Sequence, residues 1–125
     1  MKQKVETKKA PAAIGPYSQA IQYGKIIVTS GQLPIDAATG VMPAGVQEQT
    51  RQSIENLGAI LEQAGSCFEK VIKTTVFIAD MRDFSSVNEV YEKYFSGDCP
   101  ARSCVEVARL PKDALVEIEA IAVVD

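Results

Sequence analysis

The sequence predicts an α+β fold, a mixed sheet of about six strands with two helices packed on one face. Three observations predict it. Apolar residues recur at helical spacing in two separate stretches, Val46 to Ala64 and Val87 to Phe95. Short β-branched runs flank both stretches, the clearest being Val71 to Ile78 and Leu115 to Val124. No repeat, low-complexity tract or linker interrupts the series, so residues 1–125 read as a single domain.

The elements follow in chain order. Lys4 to Thr7 reads as a short first strand, and Ala10 to Pro16, with two prolines and a glycine, as irregular chain. Ser18 to Gln22 and Ile26 to Ser30 are strand-like, joined by a tight turn at Tyr23-Gly24-Lys25. Gly31 to Pro43 is rich in proline, glycine and polar residues and reads as loop. In the first helix Val46, Ile54, Leu57, Ile60, Leu61 and Ala64 share one face, and Gly65 is placed to stop it. Val71 to Ile78 is an inner strand. Ser86 with Glu89 three residues later has the form of a capping box, opening a second helix through Val87, Val90, Tyr91, Tyr94 and Phe95. Gly97-Asp98-Cys99-Pro100 breaks it; Ser103 to Val107 then reads as strand, Leu110 to Asp113 as turn and Leu115 to Val124 as the last strand.

That last strand carries Val116, Ile118, Ala120 and Ala122 on one face and Leu115, Glu117, Glu119, Ile121 and Val123 on the other. Both faces are mostly apolar. Helices cover one, and a neighbouring subunit is the economical cover for the other.

Composition narrows the chemistry. The formal charge is −3 with the basic residues scattered, whereas a nucleic-acid binder needs concentrated cationic surface to neutralise phosphates. Cys67, Cys99 and Cys104 are odd in number and unpaired in spacing, which argues against a disulfide framework. Histidine is absent, so a Ser-His or Cys-His nucleophile pair is impossible, and no cluster suggests a metal site. No apolar run is long enough to span a membrane and no signal peptide is visible, so a cytoplasmic location is expected.

The candidate chemical groups are few. Glu117 and Glu119, two apart on a strand, project from one face among apolar neighbours, where an unpaired carboxylate is costly to keep ionised. They read either as an exposed acidic pair on an edge strand or as a cleft acid, and alternation does not say which of the two acts. Arg102, behind Pro100-Ala101 at a strand entrance, is either a fork for a carboxylate or one half of a surface or intersubunit salt bridge, for which those glutamates are candidate partners. Cys104 shares its side of the strand and reads as a small packing residue. Gly15-Pro16-Tyr17-Ser18 and Thr29-Ser30-Gly31-Gln32 are either plain turns or pocket walls, since glycine admits a ligand to the backbone and Tyr17 and Ser30 bring hydroxyls.

Taken together, Ala10 to Ala20 (APAAIGPYSQA), Thr29-Ser30-Gly31-Gln32, Val87-Asn88, Pro100 to Asp113 (PARSCVEVARLPKD) and Val116 to Ala120 (VEIEA) resemble the RidA (YjgF) family, in order and over nearly the whole chain. The resemblance implies a chorismate-mutase-like fold and a homotrimer whose sheets face inward, leaving clefts between subunits. It implies 2-iminobutanoate/2-iminopropanoate deaminase activity without metal or organic cofactor. The ligands would be small imino and 2-oxo acids, supplied by pyridoxal-phosphate dehydratases. It assigns the substrate carboxylate to Arg102, the placing or activation of water to Glu117, and backbone contacts to Cys104. It places Tyr17, Ser30 and Gly31 along the pocket, and Asn88 matches a frequent family asparagine. The segment between Phe95 and Pro100 is shorter than in some members, which bears on the cleft rim. Two other readings come from relatives thought to act otherwise: a non-catalytic trimer that binds small acids or regulates a partner, and a ribonuclease.

Overall fold

The computed structural model describes residues 1–125. Its centre is the most regularly alternating stretch of the chain, β6 (Val116–Val123), whose residues are buried and half-buried in strict alternation. On one side β6 pairs antiparallel with β4 (Val71–Ile78), on the other with β3 (Ile26–Thr29). β3 continues through a hairpin to β2 (Ala20–Tyr23) and then β1 (Lys2–Val5), and β5 (Ala101–Glu106) lies parallel to β4 at the opposite edge. The order is β1-β2-β3-β6-β4-β5, a six-stranded mixed sheet.

Two helices, α1 (Val46–Gln63) and α2 (Phe84–Tyr91), cover one face. Ile54, Leu57, Ile60 and Leu61 of α1 and Val87 of α2 join Val76, Ile78, Val116 and Ile118 of the sheet in one core, all of them inaccessible or nearly so. The other face of the sheet is open in the protomer. Ile26, Val28 and Val105 remain 41–48% exposed there, beside half-buried Ile121 and Val123. The expected uncovered apolar face is therefore present. Neither helix is long and apolar enough to cross a membrane.

β4 occupies its expected place, Val71–Ile78, and the other strands end within one or two residues of theirs. The first strand is shifted as a whole, to Lys2–Val5 from Lys4 to Thr7. There Thr7 leaves the sheet because its backbone N–H and C=O bond the side chain of Gln19 instead. Leu110 to Asp113 forms the expected turn, closed by the Asp113 N–H donating to the Leu110 carbonyl at 3.1 Å, with Lys112 and Asp113 at φ of 57° and 55°.

Gly65 ends α1 as predicted: it adopts φ 83°, and Ser66 N–H donates back to the Leu61 carbonyl at 2.8 Å. The second helix departs from expectation at both ends. It begins at Phe84 because the Asp80 carboxylate accepts the Arg82 N–H and starts a 3-10 turn, Met81–Asp83, that runs straight into α2. Ser86 thus lies inside the helix and caps nothing. Its supposed capping partner Glu89 accepts a hydrogen bond from Gln47 of α1 at 2.9 Å. The helix also stops at Tyr91, although Phe95 still reaches the core.

Candidate active site

Residue parity on the sheet decides which candidate groups share a face. Arg102 is level with Thr74 and Ala120, both buried under the helices. Glu117 is level with Phe77, and Phe77 with Val105, on the open face. The two candidate groups therefore project from opposite faces of one protomer, with β4 between their strands. β5 and β6 are consecutive in the chain but not neighbours in the sheet, so within one protomer the two groups do not adjoin. Nor does Arg102 form an ion pair with either glutamate.

The Glu117 side is assembled by the chain that leaves β3. Gln32 and Ile118 exchange backbone hydrogen bonds of 2.7 and 3.2 Å, which brings Gly31 against the residue next to Ile118. A Cβ on Gly31 would lie 2.2 Å from Glu117 Oε2, so only glycine lets the carboxylate rest there. Burial pushes the Glu117 carboxyl above the usual carboxylate range, and the like charge of Glu119 on the same face adds to the rise. Ser30 fixes the neighbouring loop. Its hydroxyl donates to the Ser18 carbonyl at 2.6 Å and its N–H to the Gln19 carbonyl at 2.8 Å. Tyr17 is half exposed and, with Gly31, Leu33, Ile35 and Lys112, lines an open cavity of about 290 Å³.

Buried carboxamides hold the irregular chain around this cavity, and sequence reasoning missed them. Gln19 accepts from Thr7 N–H at 2.7 Å and donates to the carbonyls of Thr7, Ala10 and Pro11. Asn56 of α1 donates to the carbonyls of Leu33 and Ile35 at 3.0 and 2.9 Å and accepts from Gln52. Each clamp satisfies backbone groups that no strand or helix pairs. Their one signal in the sequence is a polar residue on an otherwise apolar face, as at Asn56 between Ile54 and Leu57.

The Arg102 side rests on side chains. The Arg102 guanidinium donates to Asn88 Oδ1 at 2.7 Å and stands over two rings, 4.8 Å from the Tyr91 centroid and 5.4 Å from that of Phe84. No carboxylate reaches it, so its charge has no anionic partner in the protomer. Cys104, two residues on, shares this face; burial raises its thiol pKa and Arg102 opposes the rise, which leaves it a weak nucleophile. Because β5 is the sheet edge, its outer backbone groups are open to a ligand or a second chain. Sequence reasoning assigned Asn88 to the site but not Phe84 or Tyr91, although Asn88 and Tyr91 stand three apart on one helix and so share a side.

No three His, Cys, Asp or Glu side chains stand close enough to hold a metal ion. The structure thus offers a half-buried carboxylate seated against the cavity-lining Gly31, and a braced guanidinium on the reverse of the sheet. The first suits proton transfer and the second suits holding an anion.

Residues 7–124 match the family model described as endoribonuclease L-PSP. The chain is 53% identical to the 2-iminobutanoate/2-iminopropanoate deaminase of Escherichia coli K12 over 126 residues, 98% of each chain. It is 54% identical to the Mus musculus protein of the same name over 120 residues, 95% of this chain and 89% of that one. Among solved structures, E. coli TdcF with bound serine superposes with a TM-score of 0.95 at 51% identity, covering 98% of this chain and 99% of that one.

Proposed function

Because the chain belongs to the endoribonuclease L-PSP family, that of RidA and YjgF, we propose that it is a deaminase that hydrolyses reactive 2-imino and enamine acids, in clefts completed by a neighbouring copy. Its substrates are 2-iminobutanoate and 2-iminopropanoate, and its products are the 2-oxo acids and ammonia. The observation that carries this reading is the Arg102 guanidinium, braced by a neutral oxygen and two aromatic rings and left without a carboxylate. Such a group is a receptor for a substrate's carboxylate.

The chemistry follows from two side chains. Arg102 holds the carboxylate of the imino acid and so fixes the adjacent C=N carbon. The imine reacts as its N-protonated form: Glu117, ionised, takes a proton from water as the water oxygen bonds to that carbon and the C=N π pair moves onto nitrogen. Glu117 returns that proton to the nitrogen of the resulting carbinolamine, ammonia leaves with the C–N bonding pair, and the carbinol O–H gives its proton back to Glu117, which passes it to the released ammonia, as the C=O bond forms. Tyr17 and Gly31 wall the water's side of the pocket, while Ser30 keeps that wall in place. Asn88 orients the guanidinium, and the open backbone groups near Cys104 bind the substrate's polar atoms. No electron changes hands, so the reaction asks for no redox cofactor.

Opposite faces of one sheet cannot serve one small molecule. The arrangement instead supports a homotrimer, in which the open apolar face of one copy is covered by the next and Arg102 of one copy approaches Glu117 of another. Pyridoxal-phosphate dehydratases acting on threonine and serine release the enamines such a site would consume. A cytoplasmic setting fits this supply and the three free cysteines.

The test is a threonine dehydratase-coupled assay of 2-oxobutanoate release. The parental protein accelerates release, and Arg102→Ala loses about a hundredfold or more of that acceleration, as expected when a positioning group is removed. Parental acceleration in the variant would remove Arg102 from the reaction. Saturable binding of 2-oxobutanoate without acceleration by the parental protein would make it a small-acid binder.

A further inference from the structure

We propose that Tyr91, held by Thr74, is a positioning residue that sets the orientation of the Arg102 guanidinium; this rests on the reading that Arg102 binds the substrate carboxylate. Three contacts form a closed loop. Thr74 lies directly beside Arg102 in the β4–β5 register. Its hydroxyl and that of Tyr91 share a buried hydrogen bond of 2.7 Å. The Tyr91 ring then faces back onto Arg102, with 4.8 Å between the guanidinium carbon and the ring centroid. The strand partner of the arginine thus holds the ring on which the arginine rests.

The need for such a device comes from where Arg102 stands. It extends from an edge strand, is only partly buried, and has a long side chain with many rotamers. Asn88 constrains one nitrogen of the guanidinium, and a single hydrogen bond leaves rotation about that contact free. A ring below the plane removes the rotation and costs none of the remaining N–H groups, which stay available for two parallel bonds to a carboxylate. Asn88 and Tyr91 lie three residues apart on α2, so one helix face supplies both constraints.

Tyr91 also packs in the core, with its ring centroid 4.5 Å from that of Phe95. Packing alone asks nothing of its hydroxyl, and this separates the two roles. Thr74 is wholly buried and level with the arginine, so its hydroxyl registers the ring against the very strand that carries Arg102.

The experiment measures, on the assembled protein, the dissociation constant for 2-oxobutanoate by calorimetry, the maximal rate in the dehydratase-coupled assay, and the melting temperature. Tyr91→Phe and Thr74→Val should each weaken 2-oxobutanoate binding about fivefold, the loss expected of one net hydrogen bond, with a smaller change in maximal rate. Thr74→Ser, which keeps the hydroxyl, should restore parental binding. The double variant Tyr91→Phe/Thr74→Val should bind no more weakly than either single one, because both break the same link. Should Tyr91→Phe fail to assemble, the Thr74→Val and Thr74→Ser pair decides alone. Parental binding with only a lower melting temperature would reduce Tyr91 to a core residue and overturn the proposal. The control Arg102→Ala keeps the two ideas apart: if it abolishes binding while Tyr91→Phe does not weaken it, only the positioning role falls. If Arg102→Ala itself binds and turns over normally, the functional reading falls first.

Discussion

The two halves of the site are built by different means. The Glu117 half is backbone work: the Gln32–Ile118 bridge presses Gly31 against the carboxylate, and buried amides of Gln19 and Asn56 hold the loops that wall the cavity. The Arg102 half is side-chain work at an open edge, with one hydrogen bond to Asn88 and two aromatic faces. A half-buried seat beside a like charge suits a group whose proton affinity must be tuned, since burial acts on the carboxylate directly. An edge suits a group that must meet a charged ligand and a second chain. The contrast teaches that, on the proposed reading, one protomer carries two half-sites on opposite faces of its sheet.

The sharpest way to break that conclusion is to mix defective chains. Arg102→Ala and Glu117→Gln homo-assemblies should each be nearly inactive in the dehydratase-coupled assay. Unfolded together and reassembled at equal ratio, they should regain about a quarter of the parental activity, because a quarter of randomly formed interfaces pair an intact arginine with an intact glutamate. If both groups served within one copy, mixing would restore nothing. A flat result in well-formed mixed oligomers therefore ends the intersubunit site.

Gly31→Ala comes next. Its Cβ would sit 2.2 Å from Glu117 Oε2, so the carboxylate must leave its seat. A displacement of this kind lowers the deamination rate about a hundredfold. Arg102 and its braces do not touch Gly31 within the protomer, so the affinity for 2-oxobutanoate should fall much less than the rate. Equal loss of binding and rate would show that the halves are mechanically coupled.

Much of this was legible in the sequence, and the unread part has a physical reason. Alternation along Val116–Val123 assigns Glu117 to the face opposite Val116 without any coordinates, and helical spacing finds α1 to within a residue. Strand order is different in kind. Consecutive strands are usually neighbours, yet the chain from β5 passes over β4 before β6 begins, and no local pattern records that step. The Gly31–Glu117 contact is hidden likewise, since it joins residues far apart in the chain through a two-residue bridge. At α2 a local signal misled: Ser86 and Glu89 have capping-box spacing, but Asp80 had already started the helical turn. Asn56 and Gln19 escaped because a buried amide reveals itself only through the carbonyls it meets.

Asn56→Ala tests how much of the Glu117 half depends on such amides. The substitution leaves the Ile35 carbonyl without its donor and the Leu33 carbonyl with the Ile35 N–H alone, in a partly buried site, at a cost of about 2 kcal/mol in denaturant unfolding. Removing the exposed Arg109–Asp113 ion pair by Arg109→Ala should cost less than about 0.5 kcal/mol. Comparable losses would mean the loop holds its place without the clamp.

The smallest expected effect concerns protons, and its sign is fixed by the causes of the Glu117 shift. Burial raises the Glu117 carboxyl first, and the Glu119 charge on the same face raises it further. A base must be ionised, so the deamination rate should climb with pH as Glu117 loses its proton, above the range of an ordinary glutamate. Glu119→Gln removes the second cause and leaves the first. The acid limb of the pH–rate profile, taken with dehydratase in excess at every pH, should therefore move to lower pH yet stop short of an ordinary carboxylate's. Stability runs the opposite way. With its folded value raised above its unfolded one, Glu117 favours the native state most when both states are protonated, and that contribution is lost as pH rises through the folded value. Glu117→Gln, which cannot ionise, should consequently melt higher than the parent at neutral pH and lose its advantage in acid. An acid limb that stays in place in Glu119→Gln, with no gain in melting temperature for Glu117→Gln, would mean the seat at Gly31 does not desolvate the carboxylate, and the contrast between the two halves would lose its electrostatic basis.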